Sequence, residues 1–194
     1  MDNKILNFFR RIVYGTNYKL SKQDDIEMIC RCCFINAWNA MARTYKNEND
    51  EKRTLLKKEL LADLTEQVKA QKYNPREIIL KYNNVNKLTL GQSQKVVNMF
   101  FKYLYTFLDN TIVVQEQFVN CDCPIDRTIL KQIATKQQSY KNIYLTPKGI
   151  LKYKNKTYDA WTKIDNFDLY IELQEMIENL SSGSRLDFDF SEWK

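Results

Sequence analysis

A chain of 194 residues with 44% hydrophobic and 28% charged side chains is globular in composition and long enough for one domain to bury its own core. It carries a net charge of +6, a pI near 8.9 and no histidine. That excludes histidine acid–base chemistry and most zinc hydrolase schemes, leaving Lys, Asp, Glu, Tyr and Cys for chemistry near neutral pH.

Neither a secretory leader nor an apolar run of about eighteen residues occurs, so the sequence predicts a cytoplasmic protein without a membrane partner. The basic balance is compatible with a polyanionic partner. Five cysteines fall in two clusters, Cys30, Cys32 and Cys33, then Cys121 and Cys123. An odd number without a leader predicts reduced thiols, acting as small buried hydrophobes rather than as ligands of zinc or an iron–sulfur cluster.

Residues 1–14 read as a short amphipathic helix, with Ile5, Phe8, Phe9, Ile12 and Val13 opposite Lys4, Arg10 and Arg11. After Gly15, Ser21 is a good N-cap, and Ile26, Ile29, Cys30, Cys33, Phe34, Ala37, Trp38 and Met41 give about four turns of apolar stripe. Asp50 can cap the next helix, whose stripe is Leu56, Leu60, Leu61, Leu64 and Val68; its Lys/Glu face is ordinary solvated surface. Asn74-Pro75-Arg76-Glu77 predicts a helix start with Asn74 as cap, and that short helix runs to about Tyr82.

A polar turn over 83–87 delivers the chain to Thr89-Leu90-Gly91-Gln92, a hydroxyl followed three residues later by Gln, which is the capping-box pattern. The helix it opens runs to about Leu108. Val96, Val97, Phe100, Leu104, Phe107 and Leu108 make one face of it core, with Lys95 flanking that face about one and a half turns in. An ammonium held near the positive end of a helix dipole and against apolar surface has its charged form disfavoured, a common way to make an amine nucleophilic.

Residues 111–118 include Ile112, Val113 and Val114 and suit either a short strand or an extended segment. Cys121-Asp-Cys-Pro-Ile-Asp126 then places Asp126 as the cap of a helix running to about Gln138, a position that keeps a carboxylate fixed and ionised. Between Tyr140 and Tyr158 lysines and tyrosines interleave around Pro147-Lys148-Gly149. That stretch is either a surface for a nucleic-acid backbone, with Lys148, Lys152 and Lys154, or a basic hairpin with tyrosines packed beneath it. Asp165 is the expected cap of the last long helix, with Leu169, Leu173, Met176, Ile177 and Leu180 as its stripe. The acidic, aromatic tail over 186–194 is set apart from the domain over 1–185, and is disordered, folded back or docked on a partner.

Gly91-x-x-x-Lys95 opening one helix and Pro124-Ile125-Asp126 opening another, 31 residues apart, resembles the helix-hairpin-helix DNA glycosylases, closest to their archaeal 8-oxoguanine branch. The resemblance covers about a fifth of the chain and departs from the pattern in having one hairpin glycine, Gly91, where two are usual. It implies an all-α, compact multi-helix domain, with room for a small hairpin near 143–158. It further implies a monomeric base-excision-repair enzyme on damaged duplex DNA, needing neither metal nor organic cofactor, with Lys95 as Schiff-base nucleophile and Asp126 as its carboxylate. Gly91, Gln92 and Ser93 would meet DNA phosphate, and Trp38, Trp161 and Asp165 would line the base pocket. The alternatives are a catalytically inactive DNA-binding or adaptor protein on the same fold, and a helical protein-interaction module using the tail.

Overall fold

The structure, a computed structural model, describes residues 26–42, 50–83, 88–107, 117–181 and 184–191. The expected helix over 1–14, the Ser21 cap and the extended segment over 111–116 lie outside the described residues. The chain is mostly helical, with one small antiparallel sheet. In order come α1 (Ile26–Ala42), α2 (Asp50–Lys69), α3 (Pro75–Tyr82), α4 (Leu90–Phe107), α5 (Arg127–Lys136), β1 (Ser139–Tyr140), β2 (Ile143–Leu145), β3 (Leu151–Tyr153) and β4 (Lys156–Tyr158). A 3-10 turn (Trp161–Lys163), α6 (Phe167–Leu180) and α7 (Arg185–Ser191) follow. None of the described helices is long and apolar enough to cross a membrane.

The apolar stripes do what their spacing predicts. Cys30, Cys33, Phe34, Ala37, Trp38 and Met41 of α1 are buried, as are Leu56, Leu60, Leu64 and Val68 of α2. Four of the five cysteines are buried and all five are free thiols. α4 departs from expectation. Every residue from Leu90 to Thr106 is buried, so this stretch lacks the solvated face of an ordinary amphipathic helix. It is the central helix, packed against α1, α3 and the 3-10 turn, and its polar residues face neighbouring elements rather than water. That position obliges each of its buried polar side chains to find a partner.

The two ends of α4 illustrate this. At its start Thr89 and Gln92 form the reciprocal capping box: the Gln92 N–H donates to Thr89 Oγ1 at 3.1 Å and the Thr89 N–H donates to Gln92 Oε1 at 3.1 Å. Farther along, Lys102 lies entirely inside and is paired with Asp189 of α7 at 2.5 Å. α7 is thus not a separate tail. Leu186 and Phe188 enter the core, and the folded-back alternative is the one adopted over 185–191.

Two cap assignments need correction. Asn74 makes no capping hydrogen bond to the α3 main chain; its own main chain is held by Gln67, whose carboxamide bonds both the Asn74 N–H and C=O. α6 is capped by Asn166, whose Oδ1 accepts from the Leu169 N–H at 2.9 Å, and not by Asp165 one residue earlier.

The small hairpin foreseen near 143–158 is a four-strand meander in the order β1-β2-β3-β4, so the domain is not purely helical. Ile143 pairs with Tyr153, and Leu145 with Leu151, on the face turned to the core; Tyr144 and Lys152 pair on the outer face. Gly149 in the β2–β3 connection has φ +73, and a Cβ there would press on Lys131 of α5 at 3.1 Å, so the turn depends on glycine.

Candidate active site

Lys95 projects from the second turn of α4, and Asp126 is the N-cap of α5. Their side chains meet, with Lys95 Nζ 2.8 Å from Asp126 Oδ2, while Asp126 Oδ1 accepts from the Ile129 N–H at 3.0 Å. Lys95 is 8% exposed and Asp126 30% exposed, so the amine is largely covered while the carboxylate keeps contact with solvent. Burial alone would push the Asp126 carboxyl up. The Lys95 charge and hydrogen bond, with the Ile129 and Thr128 amides, outweigh it and hold the carboxyl below its ordinary value. A carboxylate kept ionised within hydrogen-bond reach of an amine can take up its proton or stabilise positive charge beside it.

Asp126 owes its place to the segment before it. Residues 121–125 are buried and belong to no helix or strand, so their backbone groups need partners of another kind. Gln174 of α6 supplies one set: its Oε1 accepts from the Cys123 N–H at 3.0 Å, and its Nε2 donates to the Cys123 carbonyl at 2.8 Å. Gln94 of α4 does the same at Ile125, accepting from its N–H at 3.0 Å and donating to its carbonyl at 2.6 Å. Asp122, fully buried, receives Arg76 through two hydrogen bonds of 2.8 and 2.9 Å, the Tyr170 hydroxyl at 2.7 Å, and Arg185 Nε at 2.9 Å. That carboxylate ties α3, α6 and α7 to the segment that delivers Asp126.

A second charged pair lies along the same helix. Lys102 is seven residues beyond Lys95, two turns or about 10 Å along the axis. Burial disfavours its ammonium and brings its pKa down even with Asp189 beside it. Burial pushes the Cys123 thiol well up, and the charges of both pairs act on it. Reading by sequence missed Lys102, Asp189, Asp122 and both glutamines. The one available signal was a pair of lysines at heptad spacing on an otherwise apolar helix.

Three further expectations change. Gly91, Gln92 and Ser93 are buried, and their N–H groups are already taken, by the Ile164 carbonyl at 3.0 Å, by Thr89 Oγ1 at 3.1 Å and by the Thr89 carbonyl at 2.9 Å. They offer nothing to a phosphate in this form. The 3-10 turn covers them: a Cβ on Gly91 would lie 2.1 Å from the Trp161 carbonyl oxygen, so the glycine permits backbone packing and not ligand approach. Trp38 is core, 1% exposed against Phe34, with Lys57 5.1 Å above its ring. Asp165 is exposed and bound to Lys156 and the Tyr158 hydroxyl, so a base pocket of Trp38, Trp161 and Asp165 is not assembled; Trp161 alone of the three adjoins the start of α4.

Lys148, Lys152 and Lys154 are exposed on and around the sheet. Lys152 Nζ lies 6.0 Å from the centre of the Tyr144 ring, which is 41% exposed on the outer face, whereas Tyr153 and Tyr158 are packed beneath. Both sequence-based descriptions of this stretch therefore hold in part, divided between its two faces.

No family model matches the chain, and neither a curated protein nor a solved structure matches it.

Proposed function

We propose that the protein is a DNA glycosylase of the helix-hairpin-helix type, probing duplex DNA for a damaged base and excising it through a lysine Schiff base with associated AP lyase activity. The observation that carries this is the contact between Lys95 and Asp126 at 2.8 Å, an amine and a fixed carboxylate brought together from 31 residues apart.

A flipped nucleotide would present its sugar C1′ to Lys95. The amine forms the N–C1′ bond as the glycosidic bond breaks and the base departs with the electron pair. The ionised Asp126 steadies the positive charge developing on the sugar and takes up the nitrogen's proton once the N–C1′ bond has formed. The nitrogen lone pair then opens the C1′–O4′ bond to give the imine, O4′ taking a proton, and loss of a C2′ proton expels the 3′ phosphate by β-elimination. With the Gly91 to Ser93 amides occupied, DNA backbone contact falls to Lys148, Lys152 and Lys154.

Borohydride trapping on duplexes carrying an abasic site or 8-oxoguanine tests this, with Lys95→Ala alongside. A covalent complex that disappears in the variant is the expected result. A complex that persists removes Lys95 from the mechanism. Its absence on every substrate overturns the enzymatic reading and leaves the Lys95–Asp126 pair a structural tie.

A further inference from the structure

The Gln94 carboxamide is fully buried and engages both backbone groups of Ile125, while its Nε2 also donates to the Gly91 carbonyl at 3.0 Å. It therefore joins the first turn of α4 to the residue before Asp126. In sequence Gln94 is next to Lys95, and Ile125 is next to Asp126. We infer that Gln94 is a positioning residue: its two-point hold on Ile125 sets the distance and angle at which the Asp126 carboxylate meets Lys95. This rests on the glycosylase proposal for its catalytic consequence, though not for its structural one.

The chemistry requires a carboxamide. Ile125 presents one donor and one acceptor, and only a group with one acceptor and one donor side by side satisfies both, as a rung of a β-ladder would. Methionine keeps the volume and loses both bonds. A glutamate carboxylate keeps the acceptor but turns the other oxygen against the Ile125 carbonyl. Protonation of that glutamate restores a donor. Gln174 provides the internal comparison, since it holds Cys123 by the same geometry but three residues from Asp126 rather than one.

Gln94→Met, Gln94→Glu and Gln174→Met are compared with wild type for single-turnover trapping rate on an abasic duplex, DNA affinity, and the Asp126 carboxyl titration followed by carbon-13 NMR. A displacement on the order of 1 Å at a reacting group costs roughly 10²-fold in rate. Gln94→Met is therefore expected to trap about 10²-fold more slowly with affinity within about twofold, and the Asp126 titration is expected to move up. Gln94→Glu should recover relative to wild type as pH falls and its side chain protonates. Gln174→Met should lose stability to a similar degree while keeping rate and titration near wild type.

Equal rate losses in Gln94→Met and Gln174→Met, or none in either, overturn the inference. If Gln94→Met does not fold, the pH-dependent recovery of Gln94→Glu decides, and its absence overturns the inference. If wild type traps nothing, the glycosylase proposal falls, and the Asp126 titration alone decides the role of Gln94. An upward move in Gln94→Met but not in Gln174→Met sustains it, and unchanged titration in both overturns it.

Discussion

Two lysine–carboxylate pairs hang from α4 seven residues apart, and they differ in access. Lys95–Asp126 is 8% and 30% exposed, with the carboxylate drawing further bonds from a helix N-terminus; Lys102–Asp189 is 0% and 4% exposed, closed over by α7. The same pairing thus occurs once with a partly solvated carboxylate and once sealed inside the fold. The difference arises from the partner element. α5 keeps its cap partly exposed, whereas α7 carries Leu186 and Phe188 into the core and takes Asp189 with them. An ion pair deep inside costs several kcal/mol per ion to desolvate, so it adds little net stability unless it also specifies something.

The comparison breaks most sharply at the partly solvated pair. Lys95→Gln should reduce borohydride trapping to background, with DNA affinity nearly intact, since the proposed backbone contacts at Lys148, Lys152 and Lys154 remain; retained trapping would assign the nucleophile elsewhere.

At the sealed pair the expected effect is on stability. Lys102→Met leaves the Asp189 carboxylate buried and should destabilise by roughly 3–5 kcal/mol in urea unfolding, while Lys102→Met with Asp189→Leu should return close to wild type. A double variant no better than the single would mean that the two residues do not act as a pair.

Asp126→Asn sharpens the contrast further. Turnover should fall by about 10²-fold or more, whereas stability should change by under about 1 kcal/mol because asparagine also caps helices. The pH dependence has a definite sign. Asp126 has its folded pKa below the unfolded value, so its stabilising contribution is present above the unfolded pKa, near ~3.9, and is lost as pH falls through the folded one. The Asn variant should therefore show a flatter acid limb in a stability–pH profile. An acid limb identical to wild type would remove Asp126 from acid unfolding.

The smallest effect is expected on the sheet. Lys152→Ala should weaken DNA binding about equally for all sequences and lower the salt slope of log K by about 0.9. A sequence-dependent loss would turn that lysine from backbone contact to base contact.

Much of the fold was legible locally. The stripe of α1, the stripe of α2, the Thr89–Gln92 capping box and the Asp126 cap each depend on residues three or four apart, which is the range over which helical periodicity and capping act. Asp165 and Asn166 show the margin of such arguments. Both are cap-forming residues at adjacent positions, and the choice fell to Asn166 because Asp165 is drawn off by Lys156 and Tyr158 of β4. Gly91 illustrates a different margin: a glycine at a helix start suits either ligand approach or backbone packing, and only the position of the 3-10 turn decides.

By itself the sequence determined the helical register, the amphipathic faces, the caps at Thr89 and Asp126, and a lysine and a carboxylate poised at two helix starts. The tertiary structure alone decided that these two meet, that α4 lacks a solvated face, that Lys102 finds Asp189, and that Gln94 and Gln174 replace a missing strand beside residues 123 and 125. The physical reason is reach. Caps and stripes are set by bonds within one helical turn, while an amine meeting a carboxylate 31 residues away, or an amide meeting a backbone 51 residues away, depends on how whole elements pack.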